Sequence, residues 1–356
     1  MLIIMIESPE LGELEAPWHI RMKKMLGSRA FLFFSFGLFL FLLFVLLAGR
    51  SISRAPAILT AGVVMLPVSW AAYGLTIGGL SLFTRNRPLA LLAVVSVGIW
   101  FGIWGHAWIG DSEMVEGEPV SVLNWNLQRL AWSEAGGAEC ILAAVERLNP
   151  DVLALTEVSA EEVDALSVQL DLECVHVDYM GTDDVSHGGL ASCVRGGRWE
   201  VGYTDRRRFT EDQDWYYSFA EFRRNDAVFN LITVHLRPYR FTLGEGAIPV
   251  AETQAQEADG LIRRIAQLRD PTVLAGDFNS PRDSEIHVRM RNHLRDTWEV
   301  GGWGPARTVR LLDLLPMRVD YIYASRDFAV ARSEIPDVDC SDHRPVLSQL
   351  ILQSGL

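Results

Sequence analysis

Residues 272–279 read TVLAGDFN, a short apolar and β-branched run followed at once by Asp277 and Asn279. Such a run predicts a buried strand. A polar residue directly after a strand is commonly a turn former or a helix cap. It can also be presented from the loop into a cleft, where a rigid scaffold positions functional groups. One strand of this kind therefore leaves the function open.

The same arrangement recurs along the C-terminal two thirds of the chain. Five more predicted strands carry a polar residue at or beside one end: Asn126 after Val120–Trp125, Glu157 after Val152–Thr156, His235 near the end of Val228–Leu236, Asp320 within Val319–Ala324, and Asp342 and His343 before Val346–Leu352. Carboxylate and amide oxygens suit a hard divalent cation such as Mg²⁺. Histidine has an intrinsic pKa near neutrality, as a general base requires. These residue types can bind a cation or accept a proton, but each of them alone has the structural explanation of a turn former or helix cap.

Helical segments alternate with the strands. Leu172–Tyr179 and Gly189–Val194 are two further predicted strands. Apolar residues at helical spacing predict helices around residues 138–148 and within Val250–Leu268, the first ending at Asn149-Pro150. Mixed strand patterns interleaved with helices indicate an α/β fold with helix-covered sheets.

The order and local contexts of these residues resemble the endonuclease/exonuclease/phosphatase superfamily, the metal-dependent fold of deoxyribonuclease I and sphingomyelinases. The most specific matches are the Gly276-Asp277-Phe278-Asn279 and Ser341-Asp342-His343 runs. The resemblance spans about residues 118–352. It implies a four-layer sandwich, with two mixed β-sheets face to face and helices outside.

The resemblance also implies a role for each matched residue. His343 would be the general base, oriented by Asp320. Asp277 and Asn279 would position the nucleophile or contact the phosphoryl oxygens, and His235 would donate to the developing charge. The metal residues would be Glu157, Asn126 and Asp342, with Mg²⁺ as the expected ion and Mn²⁺ as the alternative. For His235 a second interpretation stays open, a buried histidine satisfied by a backbone carbonyl.

Residues 30–110 have the composition of a membrane region. Three stretches reach the length that a spanning helix needs without an internal charge, Ala30–Gly49, Ala57–Leu80 and Leu89–Ile109. A cleaved signal peptide is the competing interpretation of the first stretch, but its apolar run is longer than such peptides use and two more stretches follow. We therefore predict three transmembrane helices.

The basic residues predict the orientation of these helices. Arg21, Lys23, Lys24 and Arg29 precede the first stretch, and each of the next two loops carries two arginines. A cytoplasmic N-terminus puts six basic residues inside and two outside, which satisfies the positive-inside rule. We expect residues 1–29 in the cytoplasm, an acidic linker at 111–118, and an extracytoplasmic catalytic domain at 119–356.

Beyond residue 110 the chain holds 24 arginines, no lysine and 41 acidic residues, a formal charge of −17. This charge disfavours a general nucleic-acid coat protein, which needs a basic face. Arg237 and Arg240, just beyond His235, either meet a substrate phosphate or cover the surface.

The four cysteines form no Cys-x-x-Cys motif, so a zinc site is not expected. Cys174 and Cys193 lie on two predicted strands that can pair as a hairpin. They form either a disulfide, as suits an extracytoplasmic domain, or two free core thiols. Cys340 is expected to be a buried, inert thiol.

The sequence thus predicts a membrane-anchored, Mg²⁺-dependent phosphoesterase acting on a phosphodiester or phosphomonoester, with a slight preference for a phospholipid or small phosphodiester substrate. The enzymatic alternative is an endonuclease or exonuclease acting on nucleic acid outside the cytoplasm. The third interpretation is a non-catalytic membrane-bound binding module. No obligate protein partner is expected.

Overall fold

The computed structural model describes residues 17–52, 57–105, 113, 115–128, 132–179, 188–238, 247–304, 306–309 and 317–353. The chain forms two compact units. The first comprises Met1–Leu46 and Met65–Gly105, and the second comprises Leu47–Val64 and His106–Leu356. Part of the predicted linker, namely residues 111, 112 and 114, lies outside the described residues, as does Arg240.

The described residues of the N-terminal third are mostly helical. Its helices are α1 (Trp18–Leu26), α2 (Arg29–Ser51), α3 (Ala57–Thr84) and α4 (Arg87–Trp104). Arg29–Ser51, Met65–Thr84 and Arg87–Trp104 are long and apolar enough to cross a membrane. These three helices overlap the three predicted spans, although residues 106–109 of the last span lie outside the described part of the chain.

Two side chains tie these apolar helices together through backbone carbonyls. Trp70 Nε1 donates to the Ser96 carbonyl at 3.0 Å, and Trp100 Nε1 donates to the Pro67 carbonyl at 3.0 Å. Pro67 lies inside α3, where a proline is tolerated in an apolar helix bundle because neighbouring groups satisfy the local backbone.

The second unit contains two mixed six-stranded sheets. The first sheet has the order β11-β12-β1-β2-β4-β3. Its strands are β1 (Glu118–Asn126), β2 (Val152–Val158), β3 (Leu172–Asp178), β4 (Gly189–Arg195), β11 (Phe328–Glu334) and β12 (Val346–Leu352). β1 and β2 are parallel, and the other pairs are antiparallel.

The second sheet has the order β5-β6-β7-β8-β10-β9. Its strands are β5 (Glu200–Arg208), β6 (Tyr216–Arg224), β7 (Ala227–His235), β8 (Thr272–Asp277), β9 (Arg295–Asp296) and β10 (Asp320–Ala324). Here β7 and β8 form the parallel pair. Each sheet therefore contains one parallel pair near its centre.

Successive side chains of a strand point to opposite faces of its sheet, so each sheet packs against the other sheet on one face and against helices on the other. In β1, Val120 and Val122 pack between the two sheets with Phe229 and Leu231 of β7, while Leu123 and Trp125 pack outward. The outward face of the first sheet is covered by α5 (Gly137–Leu148) and α6 (Ala160–Leu170), and that of the second by α7 (Ala247–Ile265) and α8 (Glu285–Met290). A ninth helix, α9 (Thr297–Gly301), contacts β9, β10 and β11. The predicted four-layer sandwich is confirmed.

All eight predicted strands are present, but four strands were not predicted, namely β5, β6, β9 and β11. β5 and β11 lie at sheet edges, and β5 is rich in charged residues. β5 covers its apolar neighbours with arginine guanidinium groups, for example Arg207 over the Phe219 ring at 4.7 Å. A strand of this kind shows no apolar alternation, so its sequence resembles a loop.

The cysteines form two disulfides. Cys174 and Cys193 are direct cross-strand partners in β3 and β4, so the disulfide interpretation is confirmed for this pair. Cys340 is bonded to Cys140 in α5, and its prediction as an inert free thiol was wrong. The bond connects positions 200 residues apart, a proximity that only the folded sandwich creates.

Candidate functional site

The candidate site forms where the ends of the central strands of both sheets meet. In the parallel pair β1 and β2, Asn126 lies opposite Thr156, which directly precedes Glu157. In the second parallel pair, His235 lies opposite Asp277. β10 runs antiparallel to β8, so its first residue, Asp320, also lies opposite Asp277. Strand register therefore places five predicted site residues at one edge of the sandwich.

His343 enters this edge from the loop before β12. Its Nδ1 lies 2.8 Å from Asp320 Oδ2, and its Nε2 lies 4.0 Å from Asp277 Oδ2. In the neutral form of the ring, with Nδ1–H donating to Asp320, Nε2 carries the lone pair and faces the carboxylate cluster. The carboxylate thus fixes both the tautomer and the orientation of the imidazole.

The loop that carries His343 is tied to β1 by two hydrogen bonds. Trp125 Nε1 donates to the His343 carbonyl at 3.0 Å, and Ser341 Oγ donates to the Asn126 carbonyl at 2.8 Å. Ser341 Oγ also accepts from the His343 backbone N–H at 3.1 Å. Asp342 contributes its backbone N–H to Gln128 Oε1 at 3.2 Å.

Glu157 and Asn126 link the two sheets across the site. Asn126 Nδ2 donates to Glu157 Oε1 at 2.9 Å and to Asp277 Oδ2 at 3.0 Å, while its Oδ1 accepts from the Gln128 N–H. The amide therefore orients two carboxylates. Glu157, Gln128 and Asn279 all have left-handed backbone conformations, with φ of 55°, 45° and 48°. Such conformations cost energy in non-glycine residues and concentrate at functional sites.

Asn279 closes the site from the side of β8. Its backbone N–H donates to Asp277 Oδ1 at 2.7 Å, and its Nδ2 donates to the Leu236 carbonyl at 2.9 Å. Gly276 precedes this turn with φ of 153°, and a Cβ there would lie 1.9 Å from the Val234 carbonyl oxygen. The close approach of β7 and β8 therefore requires glycine at position 276.

His235 is buried without a hydrogen-bond partner among the described residues. Neither ring nitrogen is satisfied, and Nε2 lies 3.7 Å from both Glu157 Oε1 and Asp277 Oδ2. Among the described residues, no backbone carbonyl accepts a hydrogen bond from His235, so the second interpretation of this histidine is wrong. A buried polar atom without a protein partner indicates an external one.

Burial and mutual repulsion shift the ionisation of the cluster. Burial, reinforced by Asp320, raises the pKa of Asp277 to about 7. Burial also lowers the pKa of His235, with His343 adding to the effect. For His343, burial opposes the charged form, but the Asp320 carboxylate outweighs it and raises the pKa to about 10. Burial likewise raises the pKa of Asp342, assisted by Glu157.

The donor set fits a divalent metal ion. One ligand atom each from Glu157, His235 and Asp277 lies within 4.8 Å of the others, and the same holds for Asp277, Asp320 and His343. In the part of the chain that the structure describes, no lysine or arginine pairs with any carboxylate of the cluster. Clustered carboxylates and an unsatisfied imidazole nitrogen are what a bound cation would compensate.

All eight predicted site residues come together at this edge. The sequence interpretation gave no role to Trp125, Gln128 or Thr308, which support them. Thr308 Oγ1 accepts from the backbone N–H groups of Val319 and Asp320 at 3.1 and 3.3 Å. Trp125 lies between Asn124 and Asn126, at the end of the first predicted strand. Its position directly before a predicted site residue indicates a supporting role near the site. Thr308 lies in a loop without such a pattern.

The comparisons with known proteins agree with this architecture. The family model described as "Endonuclease/Exonuclease/phosphatase family" matches residues 123–343. A UPF0294 protein of Vibrio vulnificus (strain YJ016) is 30% identical over 135 residues, which is 38% of this chain and 44% of that protein. The matched stretch thus spans less than half the length of this curated relative.

Two solved structures show the same fold. An endonuclease/exonuclease/phosphatase from Bacteroides vulgatus has a TM-score of 0.56 at 19% identity, covering 66% of this chain and 99% of its own. A mannosyl-6-phosphatase from Bacteroides thetaiotaomicron has a TM-score of 0.53 at 17% identity, covering 65% of this chain and 99% of its own.

Proposed function

Because the chain belongs to the endonuclease/exonuclease/phosphatase family, we propose that it is a membrane-anchored, divalent-metal-dependent enzyme that hydrolyses phosphodiester or phosphomonoester bonds. The observation that carries the proposal is the His343–Asp320 pair, at 2.8 Å, beside the cluster of Glu157, His235 and Asp277. This arrangement combines a base with a carboxylate-rich site for a cation.

In the proposed reaction His343 removes a proton from the attacking water. Asp320 keeps the proton on Nδ1, so that Nε2 accepts the new one, and stabilises the imidazolium that forms. Asp277 and Asn279 position the water or the phosphoryl oxygens, and His235 donates to the charge that develops on phosphorus oxygens. Each of these groups lies on a strand end or a loop tied to one, so little reorganisation is needed.

Glu157 and Asp342 hold the proposed cation, with Asn126 keeping the Glu157 carboxylate in place or contributing its own oxygen. A bound Mg²⁺ or Mn²⁺ would neutralise the anionic ester oxygens, stabilise the leaving alkoxide and favour the neutral form of His343. The raised pKa values of Asp277 and Asp342 support this assignment, since buried carboxylates without a counter-ion resist ionisation.

The proposed location has the N-terminus in the cytoplasm and the catalytic unit outside it. The basic residues before α2 support this orientation through the positive-inside rule. The two disulfides support it independently, because disulfides form and persist in oxidising compartments. The orientation and the redox state thus point to the same side of the membrane.

For the substrate we propose a phospholipid headgroup or a small phosphate ester. The formal charge of −17 beyond residue 110 opposes salt-dependent binding of a nucleic-acid duplex. Anchoring in the bilayer would shorten the search for a substrate near it. The phosphatase named among the similar structures acts on a sugar phosphate, and its fold supports a monoester as readily as a diester.

The test uses the full-length protein in detergent micelles or nanodiscs, with Mg²⁺ or with EDTA. Bis(4-nitrophenyl) phosphate, sphingomyelin and plasmid DNA are offered side by side. We expect Mg²⁺-dependent hydrolysis of the small diester or the lipid. Cleavage of plasmid DNA alone would replace the proposal with the nuclease alternative, and turnover of none would favour a binding module.

A further inference from the structure

A half-exposed arginine lies beside the candidate site and takes no part in the proposed chemistry. Arg237 follows His235 by two residues, just past the end of β7. Its backbone is fixed, because Gln254 Nε2 donates to its carbonyl at 2.6 Å and its own N–H donates to Glu257 Oε2 at 3.2 Å. Among the described residues, the terminal nitrogens of its guanidinium have no hydrogen-bond partner.

The guanidinium is held from two sides. Its central carbon lies 4.7 Å from the centre of the Trp215 ring, and its Nε lies 3.4 Å from Oε1 of the fully buried Glu257. Stacking on an aromatic face and a carboxylate behind Nε restrict the side chain. An arginine restrained in this way loses less conformational entropy when its two terminal nitrogens bind an anion.

Trp215 connects this arginine to the site. Its Nε1 donates to the His235 carbonyl at 2.8 Å, and its ring centre lies 6.4 Å from that of His235. Arg237 and His235 thus lie next to the same indole ring. A single indole ring therefore separates the guanidinium from the His235 imidazole of the cluster.

A second arginine stacked on tryptophan shows what a purely structural role looks like. The Arg224 guanidinium lies 4.6 Å from the Trp199 ring, at the far end of β6. Arg224 NH2 pairs with the Glu118 carboxylate and donates to the Pro119 carbonyl at 3.4 Å, so one terminal nitrogen is used within the protein. In Arg237 only Nε faces a carboxyl group, that of Glu257, and among the described residues both terminal nitrogens are left for a ligand.

We propose that Arg237 binds a second anionic group of the substrate, one that lies next to the phosphate undergoing hydrolysis. The inference rests on the proposed function and narrows it to substrates that carry two neighbouring anionic groups, such as a phosphodiester with an additional phosphate. A planar guanidinium binds phosphate or carboxylate through two parallel hydrogen bonds. Arg237 is then a specificity residue, and Glu257 and Trp215 are positioning residues.

The test compares two chromogenic esters that differ in one additional phosphate. These are thymidine 5′-(4-nitrophenyl phosphate) and the same compound with a 3′-phosphate. Full-length wild type should have the lower KM for the ester with the 3′-phosphate. In R237Q the KM for that ester should rise about 10- to 100-fold more than the KM for the ester without it, as expected for a lost charge-assisted hydrogen bond.

R237K and R224Q are the conservative and the matched control variants. R237K should recover part of the preference, since it keeps the charge without the planar fork. R224Q should leave the ratio of the two KM values as in wild type. Equal wild-type KM values, or the same R237Q effect on both esters, would overturn the inference while leaving hydrolysis itself established. Hydrolysis of neither ester by wild type would instead count against the proposed function.

Discussion

Two buried polar regions lie on the second sheet, and they differ in whether their charges are balanced within the protein. At one lies the candidate site around Asp277, where four carboxylates and two histidines meet without a basic partner among the described residues. Around Asp296, in the same sheet, a second set of buried charges is balanced within the protein. Comparing them separates groups that hold the fold from groups that are left for a ligand.

The region around Asp296 is internally satisfied. Arg318 forms a bidentate pair with Asp296, at 2.8 and 2.5 Å. The fully buried His287 contacts Tyr323 Oη through Nδ1 at 2.7 Å and Ser280 Oγ through Nε2 at 2.8 Å. Burial lowers the pKa of His287, so the ring is neutral and links its two hydrogen-bond partners.

In the candidate site, several buried polar groups have no hydrogen-bond partner among the described residues. His235 is as deeply buried as His287, yet neither of its ring nitrogens has a partner among the described residues. Asp320 Oδ1 is also unsatisfied. Leaving such groups unpaired costs stability. The cost is explained if a cation and a phosphate ester complete the site.

The largest expected effect is the loss of activity when side chains of the candidate site are removed. H343A and E157A should each lower kcat by at least about 100-fold, because they remove the proposed base and a proposed metal ligand. Measured in EDTA, their thermal unfolding temperatures should stay close to that of wild type, since neither side chain supports the core. The measurement is initial rates on bis(4-nitrophenyl) phosphate beside unfolding followed by tryptophan fluorescence. Hydrolysis near the wild-type rate by both variants would refute the assignment.

Breaking the satisfied region should affect stability. R318M leaves Asp296 charged and buried, and we expect a loss of about 3–5 kcal/mol in unfolding free energy. R318M/D296N should recover part of this loss, because it removes the uncompensated charge while an asparagine at 296 can still cap α9. An R318M variant as stable as wild type would show that the pair is not what holds this region.

Removal of the metal ion tests the candidate site through protein stability. At an Mg²⁺ concentration about 100 times the dissociation constant, binding should stabilise the folded protein by about 2.7 kcal/mol relative to EDTA. E157Q should lose most of this difference. E221Q is the matched control, since Glu221 pairs with Arg223 on β6 away from the site. A response of equal size in both variants would place the stabilising ion elsewhere.

Glu257 is an intermediate case, a buried carboxyl whose one basic neighbour among the described residues is Arg237. Burial raises its pKa to about 8 from a normal value of 4.5, although Arg237 opposes the shift. Between pH 4.5 and 8 the folded state therefore holds a proton that the unfolded state releases, so stability falls as pH rises. From pH 6 to 7 the unfolding free energy of wild type should fall by roughly 1 kcal/mol more than that of E257Q. Denaturant titrations at both pH values measure the difference, and parallel pH profiles would contradict the assignment.

The sequence predicted the site better than the periphery of the fold. Asp277 and Asp320 lie at ends of central strands and His343 lies in the loop before β12, and the apolar runs of these strands can be recognised from the sequence pattern alone. β5 could not be predicted, because Arg206 and Arg207 place their guanidinium groups over aromatic rings where an alternating pattern would have apolar side chains. Contacts between distant segments, such as Trp215 with His235, depend on how the strands pair and leave no local signal.

The bond between Cys140 and Cys340 has a consequence for biosynthesis. Cys174 and Cys193 lie 19 residues apart and can meet as soon as their hairpin forms, whereas Cys140 waits for a partner 200 residues downstream. During synthesis Cys140 therefore remains a reactive thiol until nearly the whole chain has emerged, with Cys174 and Cys193 as competing partners. Correct pairing then depends on thiol–disulfide exchange once Cys340 is available. Host strains that lack an oxidase or isomerase should accumulate mispaired chains whose His343 loop is not anchored to α5.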